Sequence, residues 1–125
     1  MIGLGRRVPV FAYGEVVDMR KSFDTLAAIV REHLGRDVLE GAVYVFVGRD
    51  RRRAKVLFWD GTGLCVLAKR LSKGRFAAPW EKKRGAVLEW TTSELALFLE
   101  GSEFVGRVAL SPPAWTPDER RVTFT

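Results

Sequence analysis

The stretch that decides the fold covers residues 53–76 and reads RAKVLFWDGTGLCVLAKRLSKGRF. Two apolar, strand-like segments, Ala54–Trp59 and Leu64–Leu71, are joined through Asp60-Gly61, a dipeptide that favours the tight turn between antiparallel strands. Lys or Arg residues lie at nearly every end of the two segments. The stretch therefore predicts a β-hairpin that buries its middle and presents cations at its rims.

Further strands are predicted on both sides of this hairpin. Val43–Val47 is β-branched or aromatic throughout, which is typical of a strand, and Val8–Tyr13 and Val87–Trp90 are shorter candidates. After the hairpin the chain turns again into Arg75–Ala78. Because short loops join neighbouring antiparallel strands, we expect a meander of about five strands.

Two helices are also predicted. The first is capped by Ser22 or Asp18 and ends at Gly35, where a left-handed residue is favoured. The second begins at the capping-box pattern of residues 91–94 and ends at Gly101. The apolar stripe of the first helix repeats every three or four residues and consists of Phe23, Leu26, Ala27, Val30 and Leu34.

These elements define the expected fold and domain organisation. The fold class is α+β, an antiparallel β-meander of about five strands with two helices packed on one face. One compact domain is expected over residues 1–105 of the 125-residue chain. Residues 106–125 contain three of the five prolines, which predicts a poorly ordered C-terminal tail. Two helices leave part of such a sheet uncovered, which leaves room for a homodimer.

The composition points away from membranes and oxidising compartments. Apolar runs such as Leu64–Ala68 are far shorter than the span of about 20 residues that crosses a bilayer. The single cysteine, Cys65, excludes an internal disulfide framework and fits a reducing environment. We therefore expect a cytoplasmic protein with no membrane partner.

Positive charge is concentrated in one part of the chain. Residues 49–84 hold 12 Lys or Arg against 3 Asp or Glu, whereas the remainder holds 9 against 12. Concentrated positive charge near aromatic rings is the electrostatic pattern of a nucleic-acid partner. An acidic protein surface and a merely solvated face are the alternatives. The aromatic residues within the basic part are Phe58, Trp59, Phe76 and Trp80.

We predict that cations on and beside the hairpin contact DNA phosphates. Antiparallel pairing returns residues 69–75 to the end of the sheet where the 49–53 loop lies. Since adjacent strand residues point to opposite faces, at most one of Lys69 and Arg70 joins this patch, and Arg70 is expected. The full set of predicted nucleic-acid contacts is Arg49, Arg51, Arg52, Arg53, Lys55, Lys69, Arg70, Lys73 and Arg75.

No catalytic set, cofactor or metal site is predicted. The single histidine, His33, has no second His or Cys pair to act with. Asp18 and Asp24 are six residues apart, which places them on opposite faces of a continuous helix, and Asp60 lies where turns favour Asp. A metal-dependent nuclease that uses Asp18 and Asp24 is the enzyme alternative.

Three stretches of the chain carry a family resemblance. They are residues 18–26 (Asp-Met-Arg-Lys-Ser-Phe-Asp-Thr-Leu), residues 45–64 and residues 69–76, with a weaker echo at 95–101. In this order they resemble the accessory protein encoded by the second open reading frame of insertion sequences of the IS-sixty-six type, often called TnpB. Ser22 and Thr25 replace two glycines of the family signature.

The resemblance implies a small non-catalytic protein, encoded between a small regulatory protein and the large transposase and needed for efficient transposition. The expected function is thus a non-catalytic accessory protein that binds DNA, at the transposon ends, through the basic hairpin and assists the transposase. Its expected partners are DNA, the transposase and the small regulatory protein. The alternative is a protein–protein adaptor for the transposase without direct DNA binding. The signature residues expected to be structural or partner-binding are Asp18, Arg20, Lys21, Asp24, Trp59 and Asp60.

Overall fold

The structure is a computed structural model that describes residues 8–81 and 83–102. The tail predicted over residues 106–125 lies outside the described residues. The strands in the described part are β1 (Val10–Val16), β2 (Val43–Val47), β3 (Arg53–Trp59), β4 (Leu64–Arg70) and β5 (Val87–Trp90). The helices are α1 (Phe23–Ile29), which continues into a π-helical turn at Val30–Leu34, and α2 (Thr92–Leu99). Short 3-10 turns lie at Val38–Glu40 and Pro79–Glu81.

The strands form one mixed sheet in the order β4-β3-β2-β1-β5. Each of the five strands in the described part, including the two of the hairpin, overlaps a predicted one, and the α+β class with five strands is confirmed. The sheet is not a simple meander, because β1 runs parallel to β2 while the other pairs are antiparallel. A parallel pair needs a long crossover, which α1 provides between them. The predicted strand Arg75–Ala78 is instead an irregular segment, in which Arg75 is exposed and Phe76, Ala77 and Ala78 are buried.

The two helices pack on opposite faces of the sheet, which corrects the expectation that both lie on one face. The physical reason is β2, whose five residues are all buried and therefore need cover on both sides. We call the two sides the α1 face and the α2 face. The α1 core includes Leu26, Val30, Tyr44, Phe46 and Leu57. The α2 core includes Val43, Val45, Val47, Phe76, Trp90, Leu95 and Phe98.

The local sequence accounts for how each helix begins. The backbone N–H of Ser22 donates to Thr25 Oγ1 at 2.9 Å, so the residue that departs from the family pattern helps to cap α1. At α2, Thr91 and Glu94 form the predicted reciprocal capping box, with bonds of 2.8 and 3.0 Å. No helix within residues 8–81 and 83–102 is long and apolar enough to cross a membrane.

Candidate nucleic-acid interface

The two basic segments meet at one end of the sheet, as antiparallel pairing predicts. In the β3–β4 register Arg53 stands opposite Arg70. Beyond the strands, the backbone N–H of Leu71 donates to the Arg52 carbonyl at 2.9 Å, which binds the two loops together. We call the six exposed cations gathered here the basic end: Arg49, Arg52, Arg53, Arg70, Lys73 and Arg75.

Arg53 and Arg70 form the centre of the basic end. They are direct cross-strand neighbours on the α1 face, and like charges in that position repel each other. Arg53 Nε lies 3.7 Å from Asp50 Oδ2, and its side chain is 52% exposed. The Arg70 side chain has neither a hydrogen bond nor an ion pair with any described residue. An anion placed between the two guanidinium groups would relieve this repulsion.

Arg51 does not belong to this exposed set, which corrects the expectation for the whole 49–53 loop. Its Nε donates to the Phe76 carbonyl at 2.9 Å, and the Phe76 N–H donates to the Arg51 carbonyl. Its backbone is left-handed, with φ of 60°, a conformation uncommon outside glycine. Arg51 is half-buried and fastens the chain after β4 to the loop before β3.

Lys69 lies on the α2 face, away from Arg70, because neighbouring strand residues alternate. Its Nζ donates to the Leu99 carbonyl at 2.6 Å, at the C-terminal end of α2. A cation there satisfies a free carbonyl and complements the helix dipole. Lys69 thus has a partner within the fold and holds α2 against β4, while its nucleic-acid role stays a prediction.

Lys55 is half-buried on the α1 face and has an internal partner. Its Nζ donates to the Lys21 carbonyl at 2.6 Å, which holds the segment before α1 against β3. Beside it, a shallow cavity of about 310 Å³ opens between that segment and the hairpin. We call this cavity the notch. Its lining comprises Met19, Arg53, Ala54, Lys55, Ala68, Lys69 and Arg70.

The Asp18–Asp24 signature shapes the backbone before α1. Asp18 Oδ1 accepts from the Arg20 backbone N–H at 2.9 Å, and Arg20 Nη2 lies 2.7 Å from Asp18 Oδ2. These bonds hold the pKa of Asp18 well below its usual range. Asp24 is exposed in the first turn of α1. Within the described residues no cluster of three or more His, Cys, Asp or Glu side chains could hold a metal ion.

Trp59 and Asp60 lie at the opposite end of the hairpin. Asp60 Oδ1 accepts from the N–H groups of Thr62 and Gly63, both at 2.9 Å, and from Thr62 Oγ1. These hydrogen bonds lower the pKa of Asp60 to about 2, and the bond from the Thr62 N–H contributes most. Seven strand residues separate this turn from the basic end by about 20 Å. The half-buried Trp59 therefore cannot act within the basic end.

The structure also exposes a residue that sequence reasoning placed in the core. Phe23 begins α1 and is 47% exposed, although it shares the apolar stripe of the helix. Periodicity alone does not reveal that the first residue of the stripe is left uncovered. Lys83 and Arg84 belong to the basic part of the sequence but lie away from the basic end. Arg84 pairs with Glu15 at 3.5 Å beside β1, toward the other edge of the sheet.

These features define a class of small, basic α+β protein with one cationic sheet end. Residues 8–107 match the family described as "IS66 Orf2 like protein". The chain therefore belongs to that family, and the resemblance read from the sequence is confirmed.

Two proteins of Sinorhizobium fredii (strain NBRC 101917 / NGR234) are similar to the chain. Protein y4hO is 35% identical over 104 residues, which cover 83% of this chain and 89% of y4hO. Protein y4jC is 31% identical over 112 residues, which cover 90% of this chain and 93% of y4jC. No solved structure is significantly similar.

Proposed function

We propose that this protein is a non-catalytic accessory protein of insertion-sequence transposition and that its basic end binds the DNA of the element. Family membership supports the first part. The observation that carries the second is the Arg53–Arg70 pair, two like charges in direct cross-strand register. A fold keeps such a repulsive pair at little cost when a phosphate neutralises it, and arginine suits phosphate geometry.

The remaining cations of the basic end support the same role. Arg49, Lys73 and Arg75 are exposed, and their side chains have no hydrogen bond or ion pair with residues 8–81 and 83–102. They flank the central pair on the two loops that the backbone joins. Contacts of this kind hold the phosphate backbone without reading the bases. We therefore expect the basic end to supply affinity for DNA rather than sequence preference.

The test is a titration of labelled duplexes at several salt concentrations, one with the element's end sequence and one random sequence of equal length. The wild type should bind both, with affinity that falls steeply as salt rises. The Arg53→Ala/Arg70→Ala variant should bind more weakly, and its slope of log affinity against log salt should be shallower by about 2.

The matched control is Arg31→Ala/Arg84→Ala, which removes the same charge from two exposed sites elsewhere. It should keep wild-type affinity within about twofold if the position of the charges matters more than their number. Equal losses in both double variants would contradict a localised site. A wild-type protein that binds purified transposase but neither duplex would overturn DNA binding and favour the adaptor role.

A further inference from the structure

Phe23 is an exposed aromatic ring on a helix face that otherwise packs on the sheet. It lies three, four and seven residues before Leu26, Ala27 and Val30, so the four share one side of the helix. Leu26 and Val30 are fully buried, whereas Phe23 is 47% exposed. The first turn of α1 thus presents an apolar ring on the same side as the sheet.

The segment that leads into Phe23 lies against the notch. The Lys55–Lys21 bond of 2.6 Å fixes the chain two residues before Phe23 onto β3. Met19, four residues before Phe23, lines the notch together with Arg53 and Arg70. The segment immediately before the first turn of α1 therefore borders a cavity whose other side carries the repelling arginine pair.

We infer that the notch and Phe23 together bind an unpaired DNA strand, with a phosphate between Arg53 and Arg70 and a base stacked on the Phe23 ring. The inference rests on the proposed function and names its ligand class. A positively charged groove beside an exposed aromatic ring is the arrangement that binds single strands, because every base has a face that can stack. Paired bases within a duplex do not offer that face.

The experiment compares a labelled oligothymidylate of about 12 nucleotides, within the range of single-strand site sizes, with a blunt duplex. Phe23→Leu keeps an apolar side chain but removes the ring, and Phe23→Tyr keeps the ring. Phe23→Leu should weaken oligothymidylate binding on the order of tenfold and change duplex binding less than twofold. Phe23→Tyr should bind both as the wild type does.

Leu39→Ala is the matched control, because Leu39 is an exposed apolar residue outside the notch, at 58%. It should leave both affinities unchanged. If Phe23→Leu and Phe23→Tyr bind oligothymidylate equally well while Arg53→Ala/Arg70→Ala weakens duplex binding, the inference is wrong and the proposed function stands. If the wild type binds neither probe, both are wrong.

Discussion

The two ends of the β3–β4 hairpin differ in whether their charged side chains have partners within the fold. At the turn, the Asp60 carboxylate accepts three internal hydrogen bonds and needs no external partner. At the basic end, Arg53 faces Arg70 across the strands, and Arg70 has no partner among the described residues. The contrast separates structural charge from charge available for binding. The sequence shows that both ends carry charged residues but does not show which of those charges are paired within the fold.

The largest expected effect concerns the packing that positions the basic end. Phe76 is fully buried and stacks on Phe98 with ring centres 4.7 Å apart. Phe76→Ala should lower the free energy of unfolding by about 3–5 kcal/mol, since it removes a large core side chain and leaves a cavity. Urea denaturation of this variant and of Phe23→Ala, the half-exposed control, would measure it. A loss no larger than that of the control would contradict the prediction.

Substitution of Arg51 should lower the free energy of unfolding by an intermediate amount, whereas substitution of the exposed Arg49 should not. Arg51→Ala should lower the free energy of unfolding by about 1.5–3 kcal/mol, because it removes a charged donor from the Phe76 carbonyl. Arg51→Gly should cost less than Arg51→Ala, since glycine adopts the positive φ without strain. Arg49→Ala should be nearly neutral in the same urea titration. Equal losses at positions 49 and 51 would show that Arg51 has no special structural role.

Low pH should remove the stabilisation that Asp60 gives to the turn between β3 and β4. The folded-state pKa of Asp60 is lowered from 3.8 to about 2, so its stabilisation is complete above the unfolded pKa and is lost as pH falls toward the folded one. Asp60→Asn keeps an oxygen acceptor but cannot titrate. Its melting temperature should therefore fall less than that of the wild type between pH 4 and pH 2. Parallel melting curves for the two proteins would contradict this assignment.

The smallest effects should distinguish the roles of Lys69 and Arg70, which are adjacent cations on opposite faces of the sheet. Lys69→Ala should cost about 0.3–1 kcal/mol, because it removes a cation from the end of α2, and should leave duplex affinity unchanged. Arg70→Ala should not destabilise the fold, since it removes a repulsion, and should weaken duplex binding. Thermal melts and duplex titrations of the two single variants measure both quantities. The reverse pattern would show that the faces are wrongly assigned.

The sequence predicts those parts of the molecule that depend on short-range order. The 3.6-residue stripe located α1, and alternation placed Arg70 rather than Lys69 beside the 49–53 loop. The parallel pairing of β1 with β2 was missed, because periodicity within a strand carries no information on the direction of its neighbour. The side on which each helix packs was also missed, because the stripe of a helix does not show which face of the sheet it covers. Both are settled by long-range packing.

The candidate site was predicted as a region but not residue by residue. Nothing in the sequence marks Arg51 as a structural cation, because its partner carbonyl is 25 residues away. The exposure of Phe23 depends on how the first turn of α1 packs on the rest of the fold, which no local pattern encodes. Charge density thus located the basic end, whereas the geometry of the fold decided which of its members are available.

The placement of β1 has a consequence for the order of folding. Val10 pairs with Trp90, 80 positions further along the chain, whereas β2, β3 and β4 are joined by short loops. Closing a long loop costs more conformational entropy than closing a short one, and non-local contacts form more slowly. On the ribosome, the β3–β4 hairpin can assemble while β5 is still unsynthesised. The basic end would then be among the first surfaces to take shape, before the sheet gains its last strand.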